Sequence, residues 1–128
     1  NTIYVTNSMG NSISIISEDE KDVKEISVGQ EPHGIAVSGN NIIVANSRSN
    51  DVTVINKATL ETNTIALGKQ PGHVAVESNQ ILVQLEGDNQ LAVIDADSLK
   101  VIEKIELMSD GHQIVFGKAN SIKDSSSN

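Results

Sequence analysis

The chain has 128 residues, no cysteine, a single Phe, a single Tyr and no Trp, and a formal net charge of −8 at pH 7. That acidity, with no cluster of Lys or Arg, argues against a nucleic-acid partner, since phosphate binding needs a concentrated basic footprint. The lack of cysteine removes disulfides and thiolate metal sites, and no apolar run reaches the ~18 residues that a membrane-spanning helix requires. Apolar residues make up 38% of the chain and are mostly Ile, Val and Leu. Branched aliphatics suit pleated surfaces, so the composition leans all-β.

In chain order, TIYVTN at 2–7 is strand-like, and SMGN at 8–11 is a turn in which Gly10 and Asn11 can take positive φ. SISIIS at 12–17 completes a hairpin. An acidic loop at 18–22 leads to a third strand, VKEISVG at 23–29, and GQEP turns the chain into HGIAVS at 33–38. The tight turn GNN at 39–41 opens a second copy of the same order: NIIVAN, SRSN, DVTVIN, KATLE, TNTIALG, KQPG, HVAVES. A third runs ILVQLEGDN, QLAVID, ADSLK, VIEKIELM, SDG, HQIVFG, with one residue added in the loop before VIEKIELM and one removed from the turn after it. Pro32 recurs as Pro71, Val5 as Val44 and Val83, Asn11 as Asn50 and Asn89, always 39 residues on. A fixed period of this size marks a repeat architecture. The repeats run at about 1–39, 40–78 and 79–117, and the Ser-rich stretch 118–128 reads as a disordered tail.

Each period holds four short strands, and they grade in character. IAV and VAV are small, IIV and ILV are apolar on both faces, and VKEISV alternates with charge. Small strands fit a crowded axis, two-sided strands fit a sheet between neighbours, and charged strands fit an outer edge where stray pairing must be discouraged. That gradient predicts a β-propeller of four-stranded antiparallel blades; a β-sandwich would alternate uniformly. The run Ile3-Tyr4-Val5-Thr6-Asn7, with PHGIAVS at 32–38 and VTVIN at 52–56, resembles the YVTN repeat of β-propellers found in surface-layer and exported proteins. The resemblance covers 1–117 and weakens in the third repeat, where Gln84-Leu85 replaces the Thr-Asn or Ala-Asn pair and the proline is missing. It implies an extracellular, cell-surface or periplasmic setting and a binding or structural role. It also implies that PHGIAV is the innermost strand of its blade.

On that order the chain carries three blades' worth of strands, offset: it starts at the second strand of one blade and ends on an innermost strand, His112-Gln113-Ile114-Val115-Phe116. Three blades do not close a ring, since propellers hold about 4–8. The expected partners are therefore another copy, in a six-bladed dimer or a head-to-tail polymer, or the remainder of a longer chain. Asn1 then reads as a processed terminus or as a cut within such a chain.

His33, His73 and His112 stand at or beside the starts of innermost strands, where a channel mouth would lie, and imidazoles converging there would hold a divalent metal. Strand alternation sets His33 on one face and the other two on the opposite one, which favours a turn-shaping role and no cofactor. The acidic loops EDEKD and DADS lack the pattern of a calcium loop. Asn7 and Asn46 end second strands, while Asn11, Asn50 and Asn89 open third strands. All five are expected to lock hairpins through their side-chain amides. No nucleophile elbow, phosphate loop or dinucleotide fingerprint occurs. The sequence therefore points to a non-catalytic assembly or binding scaffold, with an enzyme or metal-binding propeller using the channel mouth as the alternative.

Overall fold

The computed structural model describes residues 1–19 and 21–108. Eleven strands form three antiparallel sheets among these residues. The first contains β1 (Ile3–Asn7), β2 (Ser12–Ile16) and β3 (Val23–Ser27). The second contains β4 (Pro32–Ser38), β5 (Asn41–Asn46), β6 (Asp51–Asn56) and β7 (Thr62–Ala66). The third contains β8 (Pro71–Glu77), β9 (Gln80–Leu85), β10 (Gln90–Asp95) and β11 (Val101–Glu106). Each is a meander in which neighbours in sequence are neighbours in space, because connections of two to six residues favour pairing with the next strand.

Burial follows the strand gradient. In β5 the residues Ile42, Ile43, Val44 and Ala45 are wholly buried, on both faces of the sheet at once. The outer strands β3, β7 and β11 are largely exposed. The faces meet in two cores. Ile42, Val44 and Ile55 of the second sheet pack with Ile13 and the half-buried Tyr4, Ile15 and Ile26 of the first. Ile43, Ala45, Val52 and Val54, on the second sheet's other face, pack with Ile81, Val83 and Ile94 of the third. Each fully buried side chain of this size contributes roughly 1.5–3 kcal/mol, so the stacking of sheets face to face is the main source of stability.

Two irregularities recur or stand out. Register slips by one residue between Pro32 and Ile35 in β4 and between Pro71 and Val74 in β8, a bulge at the start of each innermost strand. The extra residue of the third repeat was expected in the loop before β11. The structure places it inside the strand instead. The loop keeps its span, since Asn56 N donates to Glu61 O and Asp95 N to Lys100 O. Val93 pairs with Glu103 but Ile94 with Val101, leaving Ile102 as the bulged residue, 56% exposed. An outer strand absorbs an insertion at little cost because no sheet packs beyond it. The compensating shorter turn and the predicted strand 112–116 lie outside the described residues, as does the Ser-rich stretch.

Turn chemistry uses positive φ at repeat-equivalent sites: Asn11, Asn50 and Asn89 at 55°, 61° and 53°, and Leu60 and Leu99 at 64° and 60°. Of the Gly10–Asn11 pair, it is the asparagine that takes the left-handed conformation. A leucine there is strained, and the packing of Leu60 and Leu99 against the two cores offsets that cost. Gly34 serves a different need. A Cβ at this position would meet the Gly72 carbonyl oxygen at 2.1 Å and His73 Cα at 3.0 Å, so β4 and β8 approach through bare backbone. Gly34→Ala should therefore lower stability by about 1–3 kcal/mol by forcing the two innermost strands apart; urea unfolding followed by circular dichroism measures it.

Candidate functional site

The connections β1–β2, β3–β4, β5–β6, β7–β8 and β9–β10 meet at one end of the stack, where the innermost strands β4 and β8 begin. They are strapped to one another. Asn11 accepts the Val28 amide on its carbonyl at 3.0 Å and the Glu31 amide on Oδ1 at 3.0 Å. Asn50 repeats this with Leu67 at 3.2 Å and Gln70 at 3.0 Å. The amides so held belong to Glu31 and Gln70, themselves at positive φ of 53° and 58° just ahead of Pro32 and Pro71. Each asparagine thus reaches from one blade to the loop that starts the next. Asn89 accepts the Leu107 amide and returns its own Nδ2 to Leu107 O at 3.0 Å.

Asn46 and Asn7 act within their hairpins. Asn46 is fully buried, with Nδ2 donating to Asp51 Oδ1 at 2.8 Å and Thr53 Oγ1 at 2.9 Å. Asn7 Nδ2 donates to Ser12 Oγ at 3.1 Å and Ser14 Oγ at 3.0 Å. The acidic loops turn inward in the same manner. Asp19 Oδ1 accepts Ser17 Oγ and the Lys21 amide; Asp95 accepts the Ser98 amide on Oδ2 and Asn79 Nδ2 on Oδ1.

Strand alternation sets His33 and His73 on opposite faces and argues against their converging, yet their rings lie 5.2 Å apart, edge to face at 78°. Opposite faces of successive sheets confront each other, so residues of opposite parity can meet across the gap. The bulge ahead of Ile35 and Val74 also breaks the two-residue alternation where the histidines sit. His33 is exposed and His73 half-buried. His112, the third candidate, lies outside the described residues. Among the described residues no three His, Cys, Asp or Glu side chains gather closely enough to hold a metal ion.

The loops at this end border two adjoining depressions that share Glu31 and Arg48. One, of about 650 Å³, is lined by Ser8, Met9, Asn11, Gln30, Glu31 and Arg48. The other, of about 570 Å³, adds Asn50, Lys69 and Gln70. Arg48 Nη1 stands 3.8 Å from Glu31 Oε2, both side chains well exposed, so the pair contributes little to stability. Met9 is fully exposed at the rim. The sequence reading passed over Glu31, Arg48, Lys69 and Gln70. The available signal was the separation of 20 residues in both Asn11–Glu31 and Asn50–Gln70.

An NHL-repeat family model matches residues 30–55, the span from the loop before β4 to the end of β6. Hydrazine synthase of Kuenenia stuttgartiensis superposes with a TM-score of 0.80 over 86% of this chain, at 23% identity and 34% of the other chain's length. The fold is that of β-propeller blades. The dihydro-heme d1 dehydrogenase NirN, solved in complex with DHE, matches with a TM-score of 0.71 over 82% of the chain and 24% of its own length, at 21% identity. A chain of the nidogen/laminin complex gives 0.70 over 82% and 43%, at 12% identity. This chain thus spans less than half the length of each of these structures. No curated protein matches it significantly. Neighbours so different in activity share the architecture and nothing more specific.

Two substitutions test the blade straps. Asn50→Ala should cost about 1–3 kcal/mol, through lost acceptance of the Gln70 amide and left-handed strain on alanine, while Asn50→Asp keeps both features and stays near wild type; thermal unfolding separates them. Asp95 has its carboxyl held below the ordinary carboxylate range, chiefly by the Ser98 amide. A depressed folded-state value stabilises above the unfolded one, near pH 4, and is lost as pH falls through the folded one. Asp95→Asn should accordingly flatten the loss of stability below about pH 4, read from unfolding midpoints across an acid series.

Proposed function

We propose that the chain is a non-catalytic propeller scaffold, closest in kind to the exported YVTN propellers, whose blades serve assembly and binding in an extracellular, cell-surface or periplasmic setting. The observation that carries this is the use made of the polar groups at the loop-bearing end. Asn11 and Asn50 hold the amides of Glu31 and Gln70, Ser49 Oγ accepts the Gln30 amide and Asp88 Oδ2 the Lys69 amide. These groups fasten one blade to the next and leave a rigid rim above the two depressions. No helix among the described residues is long and apolar enough to cross a membrane.

A second reading has one observation in its favour, the approach of His33 and His73. Two imidazoles near an axis are half of a zinc site, and an enzyme or metal-binding propeller would place its chemistry there. The hydrazine synthase and NirN likenesses concern the fold and bring neither activity nor heme to this chain.

Zinc titration followed by calorimetry decides between the two. The scaffold predicts no saturable binding and indistinguishable traces for wild type, His33→Ala and His73→Ala. Stoichiometric binding in the micromolar range, abolished by either substitution, would overturn it.

A further inference from the structure

The first and second sheets border a pocket of about 130 Å³ at the end of the stack away from the loop-bearing rim. Tyr4 pairs with Ile15, and Ile15 with Lys24, across β1, β2 and β3. The three therefore stand in one row, on the face that packs against the second sheet. From the second sheet come the fully buried Ile42, the half-buried Leu60 and Lys57. The floor is aliphatic, and Lys24 and Lys57, both exposed, stand at the mouth with Tyr4. Among the described residues no acidic side chain lines the pocket, in a chain with 17 acidic and 9 basic residues. Neither lysine forms an ion pair among those residues, where the pairs are the N-terminus with Glu18 and Arg48 with Glu31.

The repeats themselves separate what the fold requires from what it leaves free. One period on, Ile15, Ile42 and Leu60 become Val54, Ile81 and Leu99, which pack in the second core. Tyr4, Lys24 and Lys57 become Ile43, Asn63 and Ala96. The aliphatic floor is thus structural, whereas the three polar donors are particular to the first gap. The wall that carries Lys57 is fixed. Asn56 Oδ1 accepts the Ala58 and Thr59 amides at 2.9 and 3.0 Å, and the Leu60 amide donates to Asn56 O at 2.7 Å. The Lys57 amide donates to Asn40 O at 2.8 Å, and its Nζ to Gly39 O at 3.3 Å, one bond of the three an ammonium can donate. We infer that this pocket binds a short aliphatic monocarboxylate. Its carboxylate sits between the Lys24 and Lys57 ammonium groups, with the Tyr4 hydroxyl donating to it, and its alkyl tail covers Ile15, Ile42 and Leu60. Charge-assisted hydrogen bonds hold the head, and removal of the aliphatic floor from water holds the tail. The volume is roughly that of four waters at ~30 Å³ each, well under the ~300 Å³ of ordinary ligand pockets, so only a small acid fits. The site lies at the other end of the stack from the two depressions and stands whether or not the blades serve assembly.

Tyr4 is the single tyrosine of a chain without tryptophan, so its emission reports on this pocket directly. The unmodified chain is titrated with sodium butyrate at constant ionic strength, with butyramide and sodium phosphate as parallel ligands. Butyrate should change the Tyr4 emission saturably in the millimolar range, and the neutral amide and the tail-less anion should not. Lys24→Gln and Lys57→Gln, at exposed positions, should each weaken butyrate roughly tenfold with the circular dichroism spectrum preserved, while Lys100→Gln leaves it unchanged. A response that does not saturate, or one that both lysine variants retain in full, would overturn the inference. An equal response to butyramide would remove the role given to the charge, and an equal response to phosphate the role given to the aliphatic floor; either result rejects the assignment.

Discussion

The structure depends on sheets that are apolar on both faces and must be covered twice. Ile42 and Ile43 are adjacent in β5, point to opposite sides, and are both inaccessible to solvent. One seals against Tyr4, Ile13 and Ile26, the other against Ile81, Val83 and Ile94. A strand of this kind cannot sit at the surface of a two-layer sandwich, where one face meets water. It requires a series of stacked sheets, and the series explains the rest: small residues where innermost strands crowd, charge where outer strands meet solvent, and Gly34 where two backbones must nearly touch.

Stacking alone would leave the blades free to slide. The asparagines at positive φ limit that freedom by bonding the loop of the next blade as well as their own strand end. The resulting rim is a product of structural necessity, and its depressions arise because consecutive loops stand apart between the straps. This is why exposed groups such as Arg48 and Lys69 collect there although no local motif marks them.

Much of this was legible beforehand because it is local. The 39-residue period, the hairpin turns, the order of small, two-sided and charged strands, and the asparagines at strand ends each depend on residues close in sequence. The bridging role of Asn11 and Asn50 was only half visible: their left-handed turn is local, but the amides they hold lie 20 residues away in the following blade. The position of the inserted residue in the third repeat was misjudged for a similar reason. Loop and strand are equally good hosts by composition, and only the fixed loop span from Asp95 to Lys100, with the shift after Val93, puts Ile102 in the strand.

The separation expected for His33 and His73 shows the limit most clearly. Alternation describes one sheet, while their contact belongs to the gap between two sheets, where opposite parities face each other and a bulge resets the count. By itself the sequence determined the repeat, its strands and their character, since these follow from periodicity and short-range turn chemistry. Only the tertiary structure decided which side chains converge at the loop end and which loops the asparagines hold, because both depend on how separate sheets lie against one another.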